Sequence, residues 1–251
     1  MTVTTPKGSP ENSGKGPVDS PYTYREVHGL RSRLSDLKFA AAYWVWQRMI
    51  HRYAQDARSN LSILEVGCGA GNFVKCLKGW YPNARLSAID LDEAVVAPCA
   101  LRHPDVCFAR TSSEQLPFAS NSFDVISALQ VIEHFPCPED FLAEAHRVLR
   151  HEGVLLLATP NTEGLAARRL GEAWPGIRPD HISLRTPNQW RSAITEAGFE
   201  SLSEGTTLFA GFKWLGRPPL SLPFQLLQSI FGWFPWPWGE SFMMVARRTS
   251  P

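Results

Sequence analysis

Ile63-Leu64-Glu65-Val66-Gly67-Cys68-Gly69-Ala70-Gly71 is the stretch from which the fold is read, and its partner is Leu86-Ser87-Ala88-Ile89-Asp90. An apolar run ending in alternating glycines, then a second apolar run ending in an acid, is how a parallel α/β sheet builds a nucleoside site. The glycines let a ligand approach the main chain as it turns into the following helix. Asp90, at the end of the second run, is placed to accept hydrogen bonds from two ribose hydroxyls, strengthened by its charge. A dinucleotide fingerprint needs its third glycine at position 72, which is Asn72. The spacing therefore favours an adenosine-containing cofactor without a pyrophosphate and disfavours a nicotinamide-dependent oxidoreductase.

Outward from this pair, short apolar runs without interior proline predict strands over 61–66, 85–90, 106–109, 123–129 and 153–159. A helix is expected over 138–150, with Pro138 in its first turn and Phe141, Leu142, Ala145, Val148 and Leu149 on one side. Alternating strands and helices imply a parallel sheet with right-handed crossovers, and ligands of such sheets collect at the carboxyl ends of the strands. Residues 24–57 have helical spacing, with Leu34, Leu37, Ala41, Trp44 and Val45 on one side. Residues 1–21, rich in Pro, Gly, Ser and Thr without an apolar core, read as a disordered leader rather than a signal peptide or anchor. Residues 22–58 then form a helical cap, and 59–251 the main domain, with an aromatic, Pro-rich insertion at about 209–240.

Several blocks fall in a familiar order. Glu65-Val66-Gly67-Cys68-Gly69-Ala70-Gly71, Leu116-Pro117-Phe118 with Phe123-Asp124, Val131-Ile132-Glu133-His134, and Arg147-Val148-Leu149 before Gly153 together resemble a class I S-adenosylmethionine-dependent methyltransferase. Thr159-Pro160-Asn161 and the later His181 with Thr186-Pro187 are similar to the small-molecule branch that includes ubiquinone-biosynthesis O-methyltransferases. The resemblance implies an α/β, Rossmann-like sheet of seven mostly parallel strands, in the order 3-2-1-4-5-7-6, with helices on both faces and an antiparallel seventh strand over 242–247. It implies S-adenosylmethionine as cofactor, S-adenosylhomocysteine as product, and cofactor contacts from Glu65, Gly67, Cys68, Gly69, Gly71, Asp90, Leu91, Ser112, Ser113 and Gln130. The family commonly places an Asp at the position aligned with Ser112, to meet the adenine amino group. Serine or Glu114 takes that place here.

Methyl transfer from a sulfonium is a direct displacement, so the protein aligns donor and acceptor and removes the proton of a weak acceptor such as a hydroxyl. Glu133 and His134 are the candidates for that chemistry, with His181 as a second base or a substrate ligand. Two readings stay open for His134, a general base or a residue that only fixes the loop over the cofactor. Relatives that hold a divalent metal here use an acid where this chain has Gln130, so the metal set is incomplete and no metal is expected; the alternative is a cation held by Glu133 and His134 with His181. The expected reaction is methylation of a small, apolar or aromatic acceptor at oxygen. The alternatives are methylation at carbon or nitrogen, or a non-catalytic cofactor-binding scaffold that regulates another enzyme.

The 251 residues carry a net charge of +1 and no run of Lys or Arg, so the electrostatic footprint of a nucleic-acid binder is missing. Five cysteines without metal spacing read as buried reduced thiols of a cytoplasmic protein. Pro218 to Gly239 contains no charged residue, but its prolines break any continuous spanning helix. A short amphipathic piece over 224–231, then Trp233-Phe234-Pro235-Trp236-Pro237-Trp238, suits a pocket wall for an apolar acceptor, a peripheral membrane contact, or a dimer contact through 218–238.

Overall fold

Strand β1 (Ser62–Val66) is buried along its whole length because it lies between β2 (Arg85–Asp90) and β4 (Phe123–Leu129), parallel to both. Buried on two faces, it reads as a near-continuous apolar run. Its neighbours Ile63 and Leu64 point to opposite faces, into two separate apolar clusters. The computed structural model describes residues 33–54, 60–207, 223, 227, 230 and 232–249. The expected leader, the start of the cap and most of the 209–231 segment lie outside the described residues.

The sheet has seven strands in the order β3-β2-β1-β4-β5-β7-β6, as expected. Strands β3 (Cys107–Arg110) and β5 (Leu149–Pro160) are parallel to their neighbours β2 and β4. Strand β7 (Ser241–Arg248) inserts antiparallel between β5 and β6 (Phe199–Thr206). Helices α1 (Arg33–Tyr53) and α2 (Asn72–Trp80) cover one face, where Val45, Trp46 and Ile50 meet Phe73 and Leu77 over Val125 and Val154. The expected stripe of α1 is corrected at Trp44, which is 44% exposed. The buried face runs instead through Val45, Trp46 and Ile50, the i, i+1, i+5 positions that meet α2.

On the other face lie α4 (Pro138–Val148) and, after the short α5 (Leu165–Leu170), α6 (Pro187–Glu196). Helix α4 begins with Pro138 at its first position, has Glu139 and Asp140 in the first turn and His146 and Arg147 in the last, and so complements the helix dipole at both ends. Phe141, Leu142, Ala145 and Val148 are fully buried, and each of the larger side chains contributes about 1.5–3 kcal/mol. The helix ends at Val148, two residues before the expected limit, because Leu149 turns extended and opens β5. The Arg150 guanidinium then pairs with Asp124, whose Oδ2 also accepts from the Ser62 N–H, at 2.7 Å. Asp124 thus ties β4 to β1 and β5 at the amino edge of the sheet.

The described part of the aromatic segment is a strap across the antiparallel edge. Trp233 packs against Trp46 at 5.4 Å between ring centroids and donates from Nε1 to Ser203 Oγ. The strap then reaches Asn161, just beyond β5, whose fully buried amide donates to the carbonyls of Pro237 and Gly239. Phe234, Trp236 and Trp238 stack in register along it, at 4.4 and 5.9 Å. Among the described residues, no helix is long and apolar enough to cross a membrane. All five cysteines are free, but the expectation that they are buried holds only for Cys68 and Cys99; Cys76 is half-buried, and Cys107 and Cys137 are exposed.

Candidate active site

Where β1 leaves the sheet, the Gly67 and Cys68 N–H groups both donate to Ile89 O, at 2.8 and 3.0 Å. This holds the turn beside the end of β2. Gly67 has φ +73°, and a Cβ there would overlap Val131 Cγ2, so no side chain fits. The turn passes Gly71, the N-cap of α2, and aims the first N–H groups of that helix at the carboxyl end of the sheet. Gly69 N–H donates to Asp90 Oδ2 at 2.9 Å and Asp92 N–H to Asp90 Oδ1 at 3.1 Å. Two main-chain donors therefore fix the rotamer of Asp90. Asp92 caps α3 (Glu93–Arg102) by accepting from Ala94 N–H.

A cavity of about 720 Å³ opens above these strand ends. It is lined by Gly67, Gly69, Asp90, Leu91, Ser112, Ser113 and Gln130 of the expected cofactor set, and by all three expected catalytic residues, Glu133, His134 and His181. Glu65, Cys68 and Gly71, also of the expected cofactor set, are not among the lining residues. Glu65 is 6% exposed and its Oε2 has no hydrogen-bond partner. Burial raises its carboxyl well above the usual range, opposed by the Val74 backbone N–H and assisted by the Asp90 charge. Cys68 is buried, and burial together with the nearby carboxyls pushes its thiol far up, which keeps it protonated. Ser112 Oγ accepts from Glu114 N–H at 3.2 Å, so the hydroxyl is oriented by the local turn. Gln130 sits at φ +57°, its N–H donating to Ala158 O and its side chain to Ser241 Oγ.

Beyond β4 a single 3-10 turn, Ile132–His134, carries the Glu-His pair. Glu133 is 1% exposed and its Oε2 is without a partner. Burial pushes its carboxyl from the ordinary 4.5 up to about 7. Between these two values the unfolded chain has released this proton and the folded chain still holds it, so stability falls as pH rises. A rise of this size corresponds to about 3 kcal/mol lost by pH 8 relative to pH 4.5. Glu133→Gln, which keeps the shape without the charge, is expected to raise the melting temperature of the cofactor-free protein at pH 8 and to leave it unchanged near pH 4.5. Thermal melts across that range check it; a variant equal to the parent at both pH values would sink the assignment.

His134 Nδ1 lies 2.8 Å from the main-chain carbonyl of Asp180. A carbonyl only accepts, so Nδ1 carries a proton, and in the neutral tautomer that this contact selects Nε2 has the lone pair. The Asp180 carboxylate stands 3.6 Å from the same nitrogen and is itself gripped by Arg178 Nε and Nη2, at 3.0 and 2.8 Å. Burial, the largest single influence, raises the Asp180 carboxyl; the Arg178 bond and charge, a backbone N–H and the His134 ring together outweigh it and hold it below its ordinary value. His181 Nδ1 meets Gly176 O at 2.7 Å, and its ring stands edge-on to His134 with centroids 4.8 Å apart. Burial lowers the His181 pKa, so this ring is neutral near pH 7. Glu133, His134 and His181 also offer ligand atoms within 4.8 Å of one another, three donors without the acid that Gln130 replaces.

The loop bearing Arg178, Asp180 and His181 is pinned onto the 3-10 turn, Ser183 N–H donating to Glu133 O and its hydroxyl to Phe135 O. Arg178 and Asp180 line the cavity and are absent from the residues expected from sequence. The only signal for Asp180 is its place before His181. Thr111 and Val131, just beyond β3 and β4, and Phe135 and Pro136, just beyond the 3-10 turn, also line it. Asn161, by contrast, spends its amide on the strap.

The profile of the methyltransferase domain matches residues 40–204. The chain belongs to the class I S-adenosylmethionine-dependent methyltransferase family. A probable S-adenosylmethionine-dependent methyltransferase from Mycolicibacterium smegmatis (strain ATCC 700084 / mc(2)155) is 37% identical over 164 residues, 63% of this chain. The chain spans about 60% of that relative's length. A malonyl-acyl-carrier-protein O-methyltransferase from Paenibacillus sp. (strain JDR-2) is 26% identical over 191 residues, 71% of this chain and 69% of the relative. The solved plantazolicin methyltransferase BpumL, in complex with a pentazolic desmethylPZN analog and SAH, superposes with a TM-score of 0.60 at 17% identity, covering 90% of this chain and 88% of that one. At that identity the likeness shows the fold alone. The family's cofactor is S-adenosylmethionine, and the residues present fit it. The oriented Asp90 carboxylate suits a ribose, the glycine turn admits close approach, and the orphaned Glu65 Oε2 calls for a donor.

Proposed function

We propose that this chain methylates a hydroxyl of a small molecule with an apolar or aromatic body. The observation that carries the reading is His134, whose Nδ1 is held by the Asp180 carbonyl in the cavity that Asp90 also lines, so that the neutral ring offers Nε2 as the base. S-adenosylmethionine, when bound, supplies an electrophilic methyl carbon on a sulfonium sulfur. Asp90 holds the ribose hydroxyls, Ser112 and Ser113 flank the base, and Glu65 accepts from the ammonium group of the amino-acid part. His134 Nε2 takes the acceptor's hydroxyl proton as its oxygen attacks, and the imidazolium that forms is stabilised by the Asp180 carboxylate beside Nδ1. Asp180 is a positioning residue, and Arg178 in turn orients it. His181, neutral and packed against His134, braces that ring edge-on and borders the acceptor's place.

An apolar acceptor is supported by the cavity's rim. Leu91, which lines the cavity, is 68% exposed, and Ile177 and Ile182, the chain neighbours of its lining residues Arg178 and His181, are 52 and 58% exposed. Oxygen as the methylated atom is supported by the name of the Paenibacillus relative. Methyl-labelled S-adenosylmethionine incubated with a panel of phenols and long-chain hydroxy acids tests the proposal. Label recovered as a methyl ether or ester supports it. Products labelled only on nitrogen or carbon overturn the choice of atom. Tight cofactor binding without transfer to any acceptor in the panel overturns catalysis in favour of a cofactor-binding scaffold.

A further inference from the structure

A depression of about 690 Å³ lies between the second half of α1 and the turn that joins α2 to β2, at the amino edge of the sheet and away from the cavity described above. Its ten lining residues include Arg48, His51 and Arg52 and no acid, together with the aromatic rings of Trp44, Trp80 and Tyr81. One side is continued by the uncharged segment before β7, because Arg48 Nη1 donates to the carbonyl of Ile230 at 2.7 Å. The same guanidinium stands over the Trp44 ring, 5.9 Å from its centroid. Trp44, Leu227 and Ile230 are 44, 42 and 49% exposed, and Leu227 and Ile230 are helical positions on one side of a turn.

The segment over 218–239 has apolar bulk and no charge. Contact with α1 supplies the cations it lacks. Exposed aliphatic side chains, a tryptophan at their border and arginines whose stems run along apolar surface are the composition of a surface that rests in a lipid headgroup layer. We propose that this face docks peripherally on an anionic lipid surface. The aliphatic groups enter the headgroup boundary, and Arg48, His51 and Arg52 meet the phosphates. Because the face lies at the amino edge of the sheet, docking leaves the cavity at the carboxyl edge uncovered, and it is independent of the transfer chemistry.

Co-sedimentation with vesicles of equal parts phosphatidylglycerol and phosphatidylcholine, against vesicles of phosphatidylcholine alone, tests this. The full chain is expected to bind the mixed vesicles, to bind phosphatidylcholine weakly, and to be released by added salt. Arg48→Gln/Arg52→Gln is expected to weaken binding roughly thirtyfold, about fivefold per arginine. Arg48→Gln also removes the bond to Ile230, so Arg52→Gln alone serves as the second variant, with about a fivefold loss. Trp44→Ala is expected to weaken binding to mixed vesicles, and all variants are expected to keep the parent's affinity for S-adenosylmethionine. Equal binding to both vesicle types, no binding to either, or parent-like binding by the arginine variants overturns the proposal. So does a dimer in sedimentation velocity that the arginine variants abolish, which would assign this face to a second copy of the chain.

Discussion

Asp90→Ala is expected to weaken S-adenosylmethionine binding by roughly 10²- to 10⁴-fold. The carboxylate would accept two charge-assisted hydrogen bonds from the ribose, each contributing about 1.5–3 kcal/mol. It is also the acceptor that Gly69 N–H and Asp92 N–H share, so truncation frees the glycine turn at the same stroke. Calorimetric titration with S-adenosylmethionine and S-adenosylhomocysteine measures the effect, with NAD as a control ligand. Asp90→Asn separates recognition from disorder in the turn. It keeps one acceptor oxygen and is expected to fall between the parent and Asp90→Ala. Binding by Asp90→Ala within a few-fold of the parent would remove Asp90 from the cofactor site.

The second large effect is on turnover. His134→Ala is expected to lower kcat by about 10²- to 10⁴-fold while the affinity for S-adenosylmethionine stays as in the parent. His134→Gln, able to donate and accept but not to carry a proton away, is expected to be as slow. Asp180→Asn leaves the main-chain carbonyl that meets Nδ1 in place and removes only the carboxylate behind it. Its loss is expected to be smaller, about tenfold, and to appear in kcat rather than KM. Undiminished turnover in His134→Ala would leave this ring the lesser role of bracing the 3-10 turn against the Asp180 loop.

The half of the molecule around β1 was legible because its signals are local. The apolar runs before Gly67 and Asp90 sit on buried strands, and the acid and glycines that end them meet across one strand boundary. The Glu-His pair was legible as a motif, but its surroundings were not. Asp180 lies 46 positions from His134, in a loop whose path depends on where Ser183 lands. Nothing in the local sequence marks Arg178 as the residue that orients Asp180. The sixth strand is implied by the expected order, but its position is not legible, for a different reason. As an edge strand it buries only Phe199, Gly205 and Thr206, so its alternation is faint. Helix α6 did carry a signal, since Thr186 and Gln189 form a reciprocal capping box around Pro187. The early end of α4 had none, because β5 begins with Leu149 and Arg150 through the pairing of Arg150 with Asp124.

The insertion of β7 between β5 and β6 sets an order of assembly. Strands β1 to β5 can zip together as they leave the ribosome, each finding a neighbour already made. Strand β6 cannot, because its one partner in the sheet, β7, is translated after it. Until then both β5 and β6 present unpaired edges, with the aromatic strap still in the exit tunnel between them in time. The nascent chain is most exposed to misassociation in that interval, and slower decoding across 207–240 would lengthen it.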